Sequence, residues 1–122
     1  MWVHILAVAA GGAVGSVARF LVVEVSASQL GRAFPYGTLI VNIVGSFVLG
    51  LITGLVVSRA GLSMTVRMLV GVGFCGAFTT FSTYAVETLL QRPFGLALLN
   101  LLLHNALSIG AAAAGLLLVS RT

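Results

Sequence analysis

The chain has 122 residues, of which 60% are hydrophobic and only 7% are charged. A soluble domain carries about a quarter charged residues, so this composition is that of an integral membrane protein. The net charge of +4 comes from six arginines set against two glutamates. The arginines are scattered at segment ends rather than clustered, which argues against a nucleic-acid-binding protein.

Four apolar segments are long enough to cross a bilayer, since about 20 apolar residues span its hydrocarbon core. They cover about residues 2–23, 36–57, 63–90 and 94–119. The connectors between them are short and leave no room for a soluble domain. We therefore predict an all-α membrane protein with a single four-helix transmembrane domain over residues 1–122. The first segment lacks a basic N-terminal region, so we interpret it as a retained span rather than a cleaved signal peptide.

The first segment combines small residues with one arginine, in the stretch GGAVGSVARF. Gly11 and Gly15 are four residues apart, a spacing that lets membrane helices approach closely, and Gly50 and Gly54 repeat it in the second segment. Arg19 has two interpretations. It anchors the helix at the membrane interface, or it supplies a fixed positive charge that draws an anion toward a vestibule.

The second segment carries a polar stripe. Thr38, Asn42 and Ser46 recur every four residues, so they lie near one face of a helix. An amide inside a membrane is costly unless it is paired or hydrated, so this face contacts protein or water. Hydrogen bonding between helices and an aqueous route both fit the pattern.

The third segment is too long for a straight membrane helix. Its 28 residues would run about 42 Å as an α-helix, against a hydrocarbon core of about 30 Å. It contains the run GVGFCGAFTTFST, in which glycines are followed by hydroxyl residues. This pattern predicts a helix broken near its middle, with exposed carbonyls sheltered by protein or water. A tilted, continuous helix is the alternative.

Two aromatic residues follow the expected break. Phe81 and Tyr84 are three residues apart and share a helical face. The edge of an aromatic ring is positive, so it can contact a small anion without the tight hold of a full charge. Conduction requires binding that is weak enough to release the ion. Core packing is the ordinary explanation for aromatic residues at this spacing.

The fourth segment repeats the four-residue spacing of polar side chains. Asn100, His104 and Ser108 form a predicted hydrogen-bonding track, with Asn105 beside it. No second histidine or carboxylate has a spacing suited to a metal site. The chain has no aspartate, and Glu87 has no histidine or serine near it in a catalytic arrangement, so we predict no enzymatic activity.

The arginines give almost no orientation bias. With a cytoplasmic amino terminus, three would lie on that side (Arg59, Arg67 and Arg121) and two on the other (Arg32 and Arg92). A chain without a preferred orientation can insert both ways and pair antiparallel. Oligomerisation is also expected because four helices alone enclose little space for these polar residues.

Three stretches together resemble the Fluc (CrcB) fluoride channels over essentially the whole chain: GGAVGSVARF, PYGTLIVNIVGSF and GFCGAFTTFSTYAVE. The resemblance implies a fluoride-selective channel that exports fluoride passively across the inner cell membrane. It also implies an antiparallel, dual-topology homodimer with two narrow pores. A structural sodium ion would lie at the dimer centre, held by the backbone carbonyls of Gly76 and Thr79.

The resemblance also assigns pore residues. Phe81 matches the family's first pore phenylalanine, and Tyr84 occupies the place of the second, which is commonly phenylalanine too. Asn42 matches the pore asparagine, and Ser108 resembles a pore serine. The remaining expected pore residues are Thr38, Thr83 and His104.

A small dual-topology multidrug exporter, with about four spans and a similar length, is the alternative function. Proton-coupled export of cations requires a buried acid in the first span. That segment has His4 and Arg19 instead.

Overall fold

The computed structural model of the protein describes residues 1–58 and 61–120. Over these residues the chain is all-α, with four helical segments long and apolar enough to cross a membrane. They are α1 (Trp2–Leu30), α2 (Tyr36–Val57), a third segment (Met64–Leu90) and a last helix (Phe94–Ser120). The predicted four-span architecture is confirmed. Arg59 and Arg121, which enter the orientation argument, lie outside the described residues.

The first helix is longer than the sequence predicted. It continues past residue 23 to Leu30, so more than half of the expected connector EVSASQLGRAFP is helical. Residues such as serine, alanine and glutamine do not stop a helix, and the first glycine in the connector is Gly31. Gly31 ends the helix with a φ of 83°, and its N–H donates to the carbonyl of Ala27.

The third segment is broken at two threonines, as predicted. Its first half, α3 (residues 64–78), is α-helical over Met64–Val66, widens to a π-helix over Arg67–Cys75 and is α-helical again over Gly76–Phe78. Thr79 (φ −86°, ψ 160°) and Thr80 (φ −153°, ψ 117°) are extended. The helix restarts as α4 (Phe81–Leu90), and the last helix (Phe94–Ser120) is α5.

Glycines bring α1 and α3 into backbone contact. A Cβ atom at Gly11 would overlap the carbonyl oxygen of Leu69, and one at Gly15 would overlap the carbonyl oxygen of Phe74. The two backbones can approach this closely only because both positions lack a Cβ, as the four-residue spacing of glycines predicts.

The helices α2 and α5 approach in the same way. A Cβ at Gly50 would overlap the carbonyl oxygen of Ala112, and one at Gly115 would overlap that of Phe47. With α1 on α3 and α2 on α5 packed this closely, the short helix α4 is held mainly by side chains. The polar residues of the chain gather around it.

Candidate ion-conduction site

Asn42 on α2 holds the break in the third segment. Its Oδ1 accepts a hydrogen bond from the Thr80 N–H at 2.8 Å, and its Nδ2 donates to the Thr80 carbonyl at 3.0 Å. One amide thus satisfies both backbone groups of an extended residue, which would be costly to leave unpaired at membrane depth. One hydrogen of Nδ2 remains for another acceptor.

The neighbouring threonine is held from two sides. The Arg19 Nη1 on α1 donates to the Thr79 carbonyl at 3.3 Å, and the Thr79 hydroxyl donates to the Cys75 carbonyl at 2.9 Å. On the α2 side, Gly45 leaves room for the Thr79 methyl group, which a Cβ at that position would overlap. The structure thus places Arg19 against the break. Its role in drawing anions to a vestibule stays a prediction.

The break also releases a carbonyl group. In an uninterrupted helix the Thr80 N–H would donate to the Gly76 carbonyl, but here it donates to Asn42. Gly76 is exposed, and no described atom outside its chain neighbours and its own helix backbone lies within 4 Å of the place its Cβ would take. Carbonyls of unwound helices are the type of ligand that binds sodium in membrane proteins. Gly76 fits that chemistry, and the Thr79 carbonyl keeps one lone pair beside its bond to Arg19.

A cavity of about 250 Å³ lies beside the break, between α2, α4 and α5. Its lining includes five of the seven predicted pore residues: Asn42, Phe81, Tyr84, His104 and Ser108. The other two lie elsewhere. Thr38 lines a second cavity, whereas Thr83 is exposed and its hydroxyl lies 3.1 Å from the Thr80 hydroxyl.

Aromatic rings form one wall of the 250 Å³ cavity. Phe81 meets Tyr84 edge to face, with ring centroids 5.5 Å apart and an interplanar angle of 68°. Tyr84 in turn stacks on His104, with centroids 4.2 Å apart. Tyr84 is buried, whereas Phe81 is 78% exposed. The Phe81 ring therefore projects from the surface of the chain at the edge of this cavity.

The hydroxyl group that distinguishes Tyr84 from phenylalanine has a partner. It accepts a hydrogen bond from the Asn105 Nδ2 at 3.1 Å. The tyrosine hydroxyl therefore keeps its own hydrogen for another acceptor. The Asn105 Nδ2 also donates to the Leu101 carbonyl, at 2.8 Å.

The Ser108 Oγ lines the 250 Å³ cavity and is buried without a hydrogen-bond partner among the described residues. Most buried polar atoms in proteins are hydrogen-bonded, so this exception needs an explanation. The Ser108 hydroxyl has unused hydrogen-bonding capacity for water or an ion. Thr38 differs, because its side chain hydrogen-bonds Glu87 and its backbone hydrogen-bonds the His104 ring.

The second cavity, of about 480 Å³, lies at the end of α4 that is farther from the break. Glu87 and Thr38 line it together with Arg32 and Arg92. Arg32 lies 3.6 Å from Glu24 in an exposed ion pair. Glu87 thus faces a cavity whose lining also includes two arginines.

Two residues of this region had no role in the sequence prediction. Thr80 caps α4, accepting a hydrogen bond from the Thr83 N–H at 3.2 Å. Thr88 joins α4 to α5 by accepting a hydrogen bond from the Asn100 Nδ2 at 2.8 Å. Asn100 was expected in the same track as His104 and Ser108, but its side chain is directed to Thr88. A helix-capping threonine before FST is the signal that could have indicated Thr80.

Residues 6–116 match the family of CrcB-like proteins (Camphor Resistance, CrcB). The chain belongs to the CrcB family. It is 44% identical to the fluoride-specific ion channel FluC of Nitrobacter winogradskyi over 121 residues, which cover 97% of this chain and 96% of that one. A protein of the same name from Vibrio campbellii is 43% identical over 118 residues, with coverages of 94% and 93%.

These relatives confirm the predicted resemblance to the Fluc (CrcB) fluoride channels. A third, the fluoride-specific ion channel FluC of Magnetococcus marinus, is 48% identical over 112 residues, 89% of this chain and 91% of that one. The protein is therefore a multi-pass membrane protein of a fluoride-channel family and not an enzyme. The relatives favour a channel over a small multidrug exporter.

Proposed function

We propose that this protein conducts fluoride selectively and passively across the inner cell membrane, so that fluoride leaves the cell. One observation carries the proposal. The cavity beside the broken third helix combines ring edges with hydrogen-bonding side chains, and the described residues that line it include no lysine or arginine. Relatives named fluoride-specific ion channels support the choice of ion.

The chemistry of this cavity suits a small, strongly hydrated anion. Donors must replace the water that fluoride loses, and the unused hydrogens of Asn42, Ser108 and Tyr84 are available for this. The edges of Phe81 and Tyr84 add weak positive potential without a full charge. Such binding is strong enough for entry and weak enough for exit. Thr38, Thr83 and His104 complete the proposed route.

An antiparallel, dual-topology homodimer is part of the proposal. Phe81, Ser82, Thr83 and Asn105 are all exposed on the single chain, although they lie within membrane-spanning segments. Polar side chains at such depth are expensive unless protein or water covers them, and a second copy would supply this cover. A reporter fused to the carboxyl terminus should be active on both sides of the membrane. Activity on one side only would contradict dual topology.

A structural sodium ion at the dimer centre also belongs to the proposal. The Gly76 and Thr79 carbonyls would hold it, and the freed Gly76 carbonyl supports this role. The ion would join the breaks of the two subunits. Binding to the folded dimer should raise its thermal midpoint in sodium relative to a large organic cation such as N-methyl-glucamine. An unchanged midpoint would contradict a sodium site.

The test of conduction is efflux from liposomes that contain the purified protein, followed with a fluoride electrode. Fluoride should leave rapidly, whereas chloride and a quaternary ammonium ion should be retained. Phe81→Ile should cut fluoride efflux because it removes the ring edge, and it should leave the dimer assembled in size-exclusion chromatography. Unchanged efflux in this variant would remove Phe81 from the pore, and retention of fluoride by the unmodified protein would reject the function.

A further inference from the structure

A partly buried hydrogen-bonded chain joins α4 to α5 behind the wall of the 250 Å³ cavity. The Thr88 Oγ1 donates to the Tyr84 carbonyl at 2.7 Å, and the Asn100 Nδ2 donates to the Thr88 Oγ1 at 2.8 Å. The direction of this chain is determined by its first member. A carbonyl can only accept, so the single hydroxyl hydrogen of Thr88 goes to Tyr84, and the threonine oxygen must accept from the amide.

Asn100 is well placed to act through this chain. Its exposed fraction is 0%, so it contacts no lipid, and its side chain is directed at Thr88. Asn100 is absent from the lining of the 250 Å³ cavity, so an ion there would not touch it. Any effect of Asn100 on conduction must therefore pass through the residues that it holds.

The His104 ring has a backbone neighbour on two sides. Its Nδ1 lies 3.2 Å from the Asn100 carbonyl, and the Thr38 backbone also hydrogen-bonds the ring. Tyr84 stacks on the ring face, with centroids 4.2 Å apart. Because a carbonyl can only accept, the two carbonyls compete for the single N–H of a neutral ring. The ratio of the two tautomers therefore depends on where the stack with Tyr84 holds the ring.

We propose that Asn100, acting through Thr88, is a positioning residue for the conduction route. It holds α4 against α5 at the distance at which Tyr84 stacks on His104, and this stack sets the position of the ring between its Asn100 and Thr38 backbone neighbours. Both carbonyls accept hydrogen bonds, so the N–H of the neutral ring is directed to one of them. The donors left for an anion in the cavity are then the hydroxyl and amide groups.

This inference rests on the proposed fluoride conduction for its transport measurement, but it also has a measurement of its own. The chain has two histidines, so His4→Gln leaves one imidazole. In this background, the ¹⁵N spectrum of labelled protein in detergent reports the His104 tautomer directly. It requires neither fluoride nor a functioning channel.

The decisive variant is Thr88→Val, which keeps the shape of the side chain and removes the hydroxyl. Fluoride efflux should fall about tenfold, since a buried hydrogen-bonding group is left without its partner. The ratio of the two His104 tautomers should change, because the ring moves relative to its Asn100 and Thr38 backbone neighbours. Asn100→Leu should have the same effects, and the double variant should be little worse than either single one because both break one chain.

Two matched variants separate positioning from general packing. Thr88→Ser keeps the hydroxyl, so both the efflux rate and the ratio of the His104 tautomers should stay within about twofold of the unmodified protein. Thr53 is the matched control, because its hydroxyl also donates to the carbonyl four residues earlier, at 2.8 Å. Thr53 is exposed and has no role in the site, and Thr53→Val removes its hydroxyl in the same way. Thr53→Val should change neither measurement.

The proposal is overturned if Thr88→Val leaves efflux and the tautomer unchanged. It is also overturned if Thr88→Ser lowers efflux as much as Thr88→Val, because the hydroxyl would then be irrelevant. Failure of the unmodified protein to release fluoride would reject the proposed function instead. In that case the tautomer measurements would still decide whether Thr88 and Asn100 hold the stack.

Discussion

The two halves of the third segment are packed by different means. The first half, α3, lies against α1 with backbone touching backbone, because Gly11 and Gly15 remove the side chains that would separate them. The second half, α4, meets α5 through a ring stack and hydrogen bonds, such as those of Tyr84 with His104 and of Thr88 with Asn100. The break at Thr79 separates the two.

This difference determines where the proposed route for an ion lies. Backbone contact leaves no space between α1 and α3 at Gly11 and Gly15, so no cavity can form there. Contacts between side chains leave gaps, and the gap beside α4 is the 250 Å³ cavity lined by Tyr84 and Ser108. The break therefore lets one segment make backbone contact with α1 in its first half and line a polar cavity in its second half.

The largest effect is expected in the backbone contact. Gly11→Ala should destabilise the protein by about 3 kcal/mol, because its methyl group would overlap the Leu69 carbonyl and neither backbone can move easily. Gly12→Ala is the matched control, since the nearest atom to its Cβ, the Gly73 carbonyl oxygen, would lie 3.9 Å away. Folded yield and denaturant midpoints in detergent measure the difference. Equal stability of the two variants would show that close backbone contact does not hold α3.

An intermediate effect is expected at the break itself. Gly45→Ala should lower fluoride efflux about tenfold, since its methyl group overlaps the Thr79 methyl and displaces the extended residues. Adding Thr79→Ser removes the opposing methyl group and keeps the hydroxyl that bonds Cys75, so efflux should recover. If the double variant stays as poor as Gly45→Ala alone, the steric explanation is wrong.

The smallest effect on stability is expected in the wall of the cavity. Ser108→Ala should change the free energy of unfolding by less than about 0.5 kcal/mol, because the Ser108 hydroxyl has no protein partner to lose. It should still lower fluoride efflux, by about fivefold, if the hydroxyl donates to the ion. Thermal unfolding and liposome efflux on the same preparation test both statements. Unchanged efflux would remove Ser108 from the route.

Much of the architecture was predictable because a bilayer imposes simple demands. Apolar runs of sufficient length located the four spans, and a third segment too long for the hydrocarbon core predicted the break that lies at Thr79 and Thr80. The polar stripe of the second segment predicted that Asn42 faces protein or water, and its side chain hydrogen-bonds the Thr80 backbone. His104, from the predicted track of the fourth segment, is buried. Both line the same cavity.

Other features depend on how the helices are rotated against one another, which the sequence does not state. The same four-residue spacing placed Asn100 and His104 in one track, yet Asn100 turns to Thr88 while His104 meets Tyr84. The π-helix over Arg67–Cys75 likewise had no sequence signal. Local pattern determines which residues must be buried, because that depends on each residue's own chemistry. Which atom satisfies each buried group is decided only when the helices pack, because hydrogen bonds join atoms that are distant in the chain.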